Sequence, residues 1–235
     1  MTLIVLGWPP GFPPAAAAAP VYTNGSGYTC DKTTTGALNY TNAVNQNWLA
    51  RVSAAASQPG VVILADRLWA CSGMGYAVGT YTVTTPGALP PRIVDGGMGA
   101  EIWIEQFATA GAASGSFTVV YKDSASSTQT ATITSGLISA PSQGTLQNVP
   151  LVNNLGVSQI VSAGNGTTWT SGSYGITIMK RIAEIPAAAI GIGATLDWAA
   201  CALAKIPANA CLQFIYLAQN TTAATILGSV DIIDK

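Results

Sequence analysis

From Val61 onward the chain breaks into short runs rich in β-branched and aromatic residues, each closed by a cluster of Gly, Pro, Ser or Asp. The runs are Val61 to Ala70, Tyr76 to Thr85, Ala100 to Ala108, Ser116 to Lys122 and Gln129 to Thr134. Between them lie Cys71-Ser72-Gly73, Pro86-Gly87, Asp95-Gly96-Gly97, the stretch Gly111 to Gly115, and Asp123 to Ser127. Runs of this length cannot form the helices that βαβ units require. They predict strands joined by tight turns, as in a sandwich or barrel.

Two segments precede this pattern. Residues 1–37 are rich in Pro, Ala, Gly and Thr and lack periodicity, so they read as an extended arm. Pro9, Pro10, Pro13 and Pro14 interrupt the apolar start and no basic stretch precedes it, so a secretory leader is not expected. Within residues 38–58, Val44, Trp48, Leu49, Val52 and Ala56 fall on one helical face. Asn39 or Thr41 would cap that helix and Pro59-Gly60 would end it.

The second half reads as a diverged copy of the first. Trp103, Phe117, Val120 and Tyr121 match Trp198, Leu212, Ile215 and Tyr216 at a constant spacing of 95. The Ala131-Thr132-Ile133 run matches Ala224-Thr225-Ile226 at a spacing of 93, as do Gly79, Tyr81 and Val83 with Gly172, Tyr174 and Ile176. The expected fold is therefore mainly β: two tandem, related β-sandwich or jelly-roll-like units, residues 59–145 and 146–235, behind an arm and one short helix.

Charge narrows the function. Only 8% of residues are charged, against about 25% in an ordinary soluble domain, and the net charge is −1. A free monomer so poor in charge is weakly protected against association, whereas a subunit that hides its surface against neighbours does not need that protection. No basic run exceeds Lys180-Arg181, so no nucleic-acid footprint is present. No apolar run reaches the roughly 18 residues of a membrane-spanning helix.

Chemistry is constrained as tightly. The chain has no histidine, which removes sites built on imidazole. Cys30, Cys71, Cys201 and Cys211 show no C-x-x-C spacing, so neither a metal nor a cofactor is expected. They read as reduced, buried thiols, with Cys201 and Cys211 the pair to join if any disulfide forms. Glu101 and Glu105 would share a strand face with backbones roughly 13 Å apart, wider than the about 5 to 9.5 Å of a glycosidase pair. They read as solvated strand residues, and no catalytic residue is expected. The Asp95 to Gly99 and Gly191 to Gly193 stretches lack a P-loop lysine and read as turns. Among the tryptophans, Trp169, in a polar run, is the candidate for an exposed contact. Trp103 and Trp198, at matching repeat positions, read as core.

Leu64-Ala65-Asp66-Arg67-Leu68-Trp69-Ala70-Cys71-Ser72-Gly73, Gly99-Ala100-Glu101-Ile102-Trp103-Ile104-Glu105, Arg181 to Pro186 and Ala210-Cys211-Leu212 resemble a family of tailed-phage and prophage structural proteins without assigned enzymatic activity. The likeness covers roughly residues 60–235 and leaves the arm aside. It implies a place in the virion without fixing where in the particle; the location expected is the capsid surface, after synthesis in the host cytoplasm. The role expected is that of a capsid cement or decoration protein. Its partners would be the major capsid protein and copies of itself, as a homotrimer, with neither nucleic acid nor membrane involved. In that setting Leu3, Ile4, Val5, Leu6, Trp8 and Phe12 of the arm would contact a neighbour. The alternatives are a tail or fibre protein that binds a host-surface carbohydrate through exposed aromatic residues, and a secreted hydrolase that uses carboxylates.

Overall fold

The computed structural model describes residues 2–4, 27–34, 36–75, 79–83, 89–111, 115–134, 139–166, 170–202, 204–218 and 225–234. These residues form fifteen strands and no α-helix. In chain order the strands are β1 (Thr2–Ile4), β2 (Gly27–Thr29), β3 (Asn47–Ala56), β4 (Gly60–Gly75), β5 (Gly79–Thr82), β6 (Ala100–Ala108), β7 (Phe117–Lys122) and β8 (Thr128–Ile133). They continue as β9 (Thr145–Val149), β10 (Gln159–Asn165), β11 (Ser173–Ala187), β12 (Ala194–Leu196), β13 (Lys205–Ile206), β14 (Leu212–Ala218) and β15 (Ile226–Asp234).

The central sheet closes on itself. Its order is β11-β6-β9-β1-β14-β4, β4 pairs back onto β11, and β2 is appended beside β4. Every pairing in it is antiparallel. Strands β4 and β11 run against each other from Gly60↔Ala187 to Gly75↔Ser173, with three register shifts. Such irregularities bend strands, which is what ring closure requires.

Side-chain alternation assigns three cores to the two faces of this sheet. Inside the ring, Ile63, Ala65, Trp103, Leu146, Met179 and Ile215 pack together. The alternate residues Ile102, Ile104, Ile176 and Ile178 face outward and meet Phe117, Val119, Tyr121, Ala131, Ile160 and Ala163 of the β5-β10-β7-β8 sheet. Towards the other end of β4 and β11, Val62, Leu64, Ile185 and Tyr216 meet Leu49, Val52, Ala54 and Ala56 of a third sheet, in which β3 pairs with β12, β13 and β15. Because β4 is covered on both faces, the run Val61 to Ala70 is largely apolar, broken only by Asp66-Arg67, and does not alternate.

The expected helix within residues 38–58 is instead strand β3. Its inward residues are Leu49, Val52, Ala54 and Ala56, and the pairing with β15 shifts register beside Arg51. That bulge places Leu49 and Val52 three apart on one face, which imitates a helical period. Ala54 and Ala56, too small to stand out as core residues, carry the true period of two. Val44, assigned to the helix face, is 94% exposed.

The tandem halves are also corrected. Strands from both sides of residue 145 interleave: β10 sits between β5 and β7, and β11 sits between β4 and β6. Trp103 is buried on β6, whereas Trp198 lies in a turn at 62% exposure. Tyr121 on β7 and Tyr216 on β14 lie in different sheets. The spacing of 95 reflects recurring strand composition, not a repeated unit.

Part of the expected arm is strand. Thr2–Ile4 pairs with β9 on one side and β14 on the other, and Gly27–Thr29 pairs with β4. Val5, Leu6, Trp8 and Phe12 lie outside the described residues.

Asp123 fastens the far end of the body. Its carboxylate accepts hydrogen bonds from the Ala125 and Ser127 amides, Gln129 Nε2 and Asn153 Nδ2, at 3.0 to 3.1 Å. Burial alone would raise this carboxyl's pKa, but the donations from Gln129, Ser127, Asn153 and Ala125 outweigh it and hold the value below the ordinary one. A depressed carboxylate contributes stability that is full above the unfolded value of about 4 and is lost as pH falls through the folded value. Asp123→Asn should therefore lower the urea midpoint near neutrality, and the gap to wild type should close in acid. A gap that persists unchanged in acid would contradict this role.

Candidate functional site

The Asp66-Arg67 pair sits on β4, so its two side chains leave the strand on opposite faces. Arg67 points into the ring. There its Nη2 donates to Glu105 Oε2 and, at 3.1 Å, to Thr177 Oγ1. Thr177 Oγ1 donates in turn to the same Glu105 oxygen at 2.6 Å. The two charged side chains are 3% and 5% exposed. Burial works against the charge on Arg67, but the adjacent Glu105 carboxylate, together with Cys30, Tyr28 and Cys211, outweighs it and pushes the guanidinium pKa above its already high value.

Asp66 points outward. Arg92 grips it with two hydrogen bonds, Nε to Oδ2 at 3.0 Å and Nη2 to Oδ1 at 2.8 Å, and the Cys211 amide donates to Oδ1 at 2.8 Å. The same guanidinium donates to the carbonyls of Cys30 at 2.7 Å and Arg67 at 3.1 Å. Arg92 thus joins the 89–99 loop to β4 and to Cys30, where the chain leaves the central sheet after β2, and Asp66 ties in Cys211, where the chain enters it before β14. Burial pushes the Asp66 carboxyl above its ordinary value, against the pull of Arg92.

Beside this anchor opens a cleft of about 510 Å³. Asp66, Arg92, Asp95, Lys180, Arg181 and Lys205 supply its charges, and Ile93, Val94, Ile182 and Pro207 its apolar surface. Lys180 Nζ lies 2.6 Å from Asp95 Oδ2. Arg181 bridges Glu101 at 2.9 Å and Glu184 at 2.5 Å, with its guanidinium carbon 5.7 Å from the centre of the Trp103 ring.

Glu101 and Glu105 do share a strand face, as expected, but it is the face that lines the ring. Glu101 is partly exposed and Glu105 is buried, so the reading of Glu105 as solvated is corrected. The Arg67 and Arg181 guanidinium groups each hold one of the two carboxylates. An engaged carboxylate is poorly placed to act as a general acid or base.

The four cysteines are free and buried, and Cys30 packs with Cys211 and Ala70. The Cys201–Cys211 pairing is not made; Cys201 instead donates to the Leu196 carbonyl. Burial pushes the Cys71 thiol up to about 12 and that of Cys201 upward, and Cys30 and burial together push up that of Cys211. These three thiols are protonated near neutrality and weakly nucleophilic, whereas at Cys30 burial is outweighed by the Cys211 hydrogen bond and the Arg67 and Arg92 charges, which hold its thiol below the ordinary value. Among the described residues no group of three or more Cys, Asp or Glu side chains is placed to hold a metal ion.

Trp169 lies outside the described residues. Trp198 is the exposed tryptophan that the repeat reading concealed. Arg92 was the other residue missed. Its signal is that it is the sole charge between Arg67 and Asp95. An isolated charge in an apolar stretch calls for a buried partner.

Comparison with protein-family models, with curated proteins and with solved structures finds no match.

Proposed function

We propose that this protein is a structural subunit of a tailed-phage particle, a capsid cement or decoration protein that acts through contacts and performs no catalysis. The observation that carries the reading is where large apolar side chains sit. Val94, Met98, Val152, Ile190, Ile192, Trp198 and Leu227 are each more than half exposed, on a chain with only 8% charged residues. Where such residues lie side by side they mark a surface that meets a neighbour. Val94, Met98, Val152 and Leu155 belong to two loops in direct contact, since the Val157 amide donates to the Gly97 carbonyl at 3.1 Å. A side chain at Gly97 would meet the Val157 carbonyl at 1.9 Å, so the loops stay close only with glycine there. The resemblance to virion proteins over residues 60–235 supports the same reading. Its motifs contain Asp66, Arg67 and Glu105, residues that organise the fold.

In this role the 5–26 segment clamps a shell neighbour. Val5, Leu6, Trp8 and Phe12 supply side chains whose burial contributes on the order of 1.5 to 3 kcal/mol each. Removing residues 7–14, which takes out Trp8 and Phe12, should leave the body folded and reduce its occupancy on purified particles after mild heating. Equal occupancy would refute the clamp. The tail-fibre reading has Trp198 as its sugar-stacking candidate, and saturable binding to host-surface glycans would favour it over the cement role.

A further inference from the structure

We propose that β15 is a docking edge for a second copy of this chain, joined to it antiparallel about a two-fold axis through Val230. Among the described residues β15 pairs only with β3, so its other edge carries backbone donors and acceptors without a strand partner. The strand spans Ile226–Asp234 and is the most exposed of the long strands. Long, flat edges are normally guarded by Lys, Pro or a covering segment. This one has neither Lys nor Pro. It has two carboxylates, and both are occupied: Asp231 by Arg51 at 2.6 Å, and Asp234 by the amides of Val44, Asn45 and Gln46.

The sequence of β15 is complementary to itself in one register. Centred on Val230, antiparallel pairing sets Leu227 opposite the partner's Ile233, and by symmetry the reverse. Leu227 is 74% exposed and Ile233 is 42% exposed. Counting along the strand places both on the outer face of the sheet, because Val230 and Ile232 turn inward onto the core. The same register sets Asp231 opposite the partner's Ser229, and Asp234 opposite the partner's Ile226, so no like charges face each other. Beside β15 lies a groove of about 140 Å³ lined by Leu38, Tyr40, Phe214 and Val230 among others. It offers space to an incoming strand's inward side chains. Strand β8, which also ends its sheet, presents exposed Thr128, Thr130 and Thr132 and lacks such an apolar pair.

The test is sedimentation velocity on the full chain at tens of micromolar. Wild type should sediment as a dimer, in place of the homotrimer that the resemblance to virion proteins implies. Leu227→Lys combined with Ile233→Lys places lysines opposite each other twice and should weaken association on the order of 100-fold. Both positions face solvent, so an unchanged far-UV spectrum should show that the fold survives. Leu227→Lys combined with Ile233→Glu places opposite charges across the axis and should recover association to within about tenfold of wild type. Thr130→Lys on β8 should change nothing. A wild-type monomer or trimer, a double-lysine variant that stays dimeric, a charge-swapped variant that stays monomeric, or a Thr130→Lys variant that dissociates would each overturn the proposal.

Discussion

Replacing Arg67 with alanine should destabilise the fold by about 3–5 kcal/mol, the magnitude expected when one partner of a buried ion pair is removed. The reason lies in what stays behind. Glu105 would keep Thr177 as a donor but lose its only guanidinium partner, inside a ring closed by strands and filled by Trp103, Met179 and Ile215. A domain of this size has on the order of 5–15 kcal/mol in total, so the variant should sit near its unfolding transition at ambient temperature. Arg67→Met combined with Glu105→Leu removes both charges and keeps apolar volume. It should recover most of the loss, because the charge pair itself contributes little beyond its own desolvation. Chemical denaturation of the three proteins measures both quantities. A loss below about 1 kcal/mol in Arg67→Ala would mean that water reaches Glu105 and that the ring interior is not dry.

Deleting residues 1–4 should have a comparable effect. Strand β1 is short, but it occupies the slot between β9 and β14, pairing Leu3 with both Leu146 and Leu217 at the backbone level. Without it the ring becomes an open sheet with two unsatisfied edges, a template for aggregation. We expect a loss of cooperative unfolding and a shift to high molecular weight in solution. Shortening the connection from β1 to β2 by removing residues 7–14 leaves 14 residues to span it and changes only loop closure, worth about 0.4 kcal/mol by chain entropy. The contrast between the two deletions separates the strand from the segment that follows it. If the protein lacking residues 1–4 unfolds with a wild-type midpoint, β1 does not close the ring.

The β character was legible from the sequence because turn clusters such as Asp95-Gly96-Gly97 and Asp123 to Ser127 punctuate it at strand spacing. What was not legible depends on pairing between distant residues. Arg67 and Glu105 lie 38 residues apart, and Thr177, which binds both, lies 72 beyond Glu105. Nothing local to Glu105 tells a solvated strand face from the lining of a ring. Strand β1 escaped notice because three residues show no period before the prolines begin. The misread helix has a different cause: one bulge beside Arg51 converts a period of two into an apparent period of three to four. The apparent duplication arose because aromatic and β-branched residues recur wherever strands do, and it takes the fold to separate Trp103, buried on β6, from Trp198, exposed in a turn.

The central claim is that this chain is a component of a particle, held there by contacts. A cryo-EM map of purified particles that carry the protein tests it most directly. The account predicts density for the fifteen-stranded body at fixed positions on the shell, with the segment after β1 lying against a neighbouring subunit. Particles complete and infectious without any copy of the chain would contradict it, as would density confined to the tail tip with a glycan stacked on Trp198.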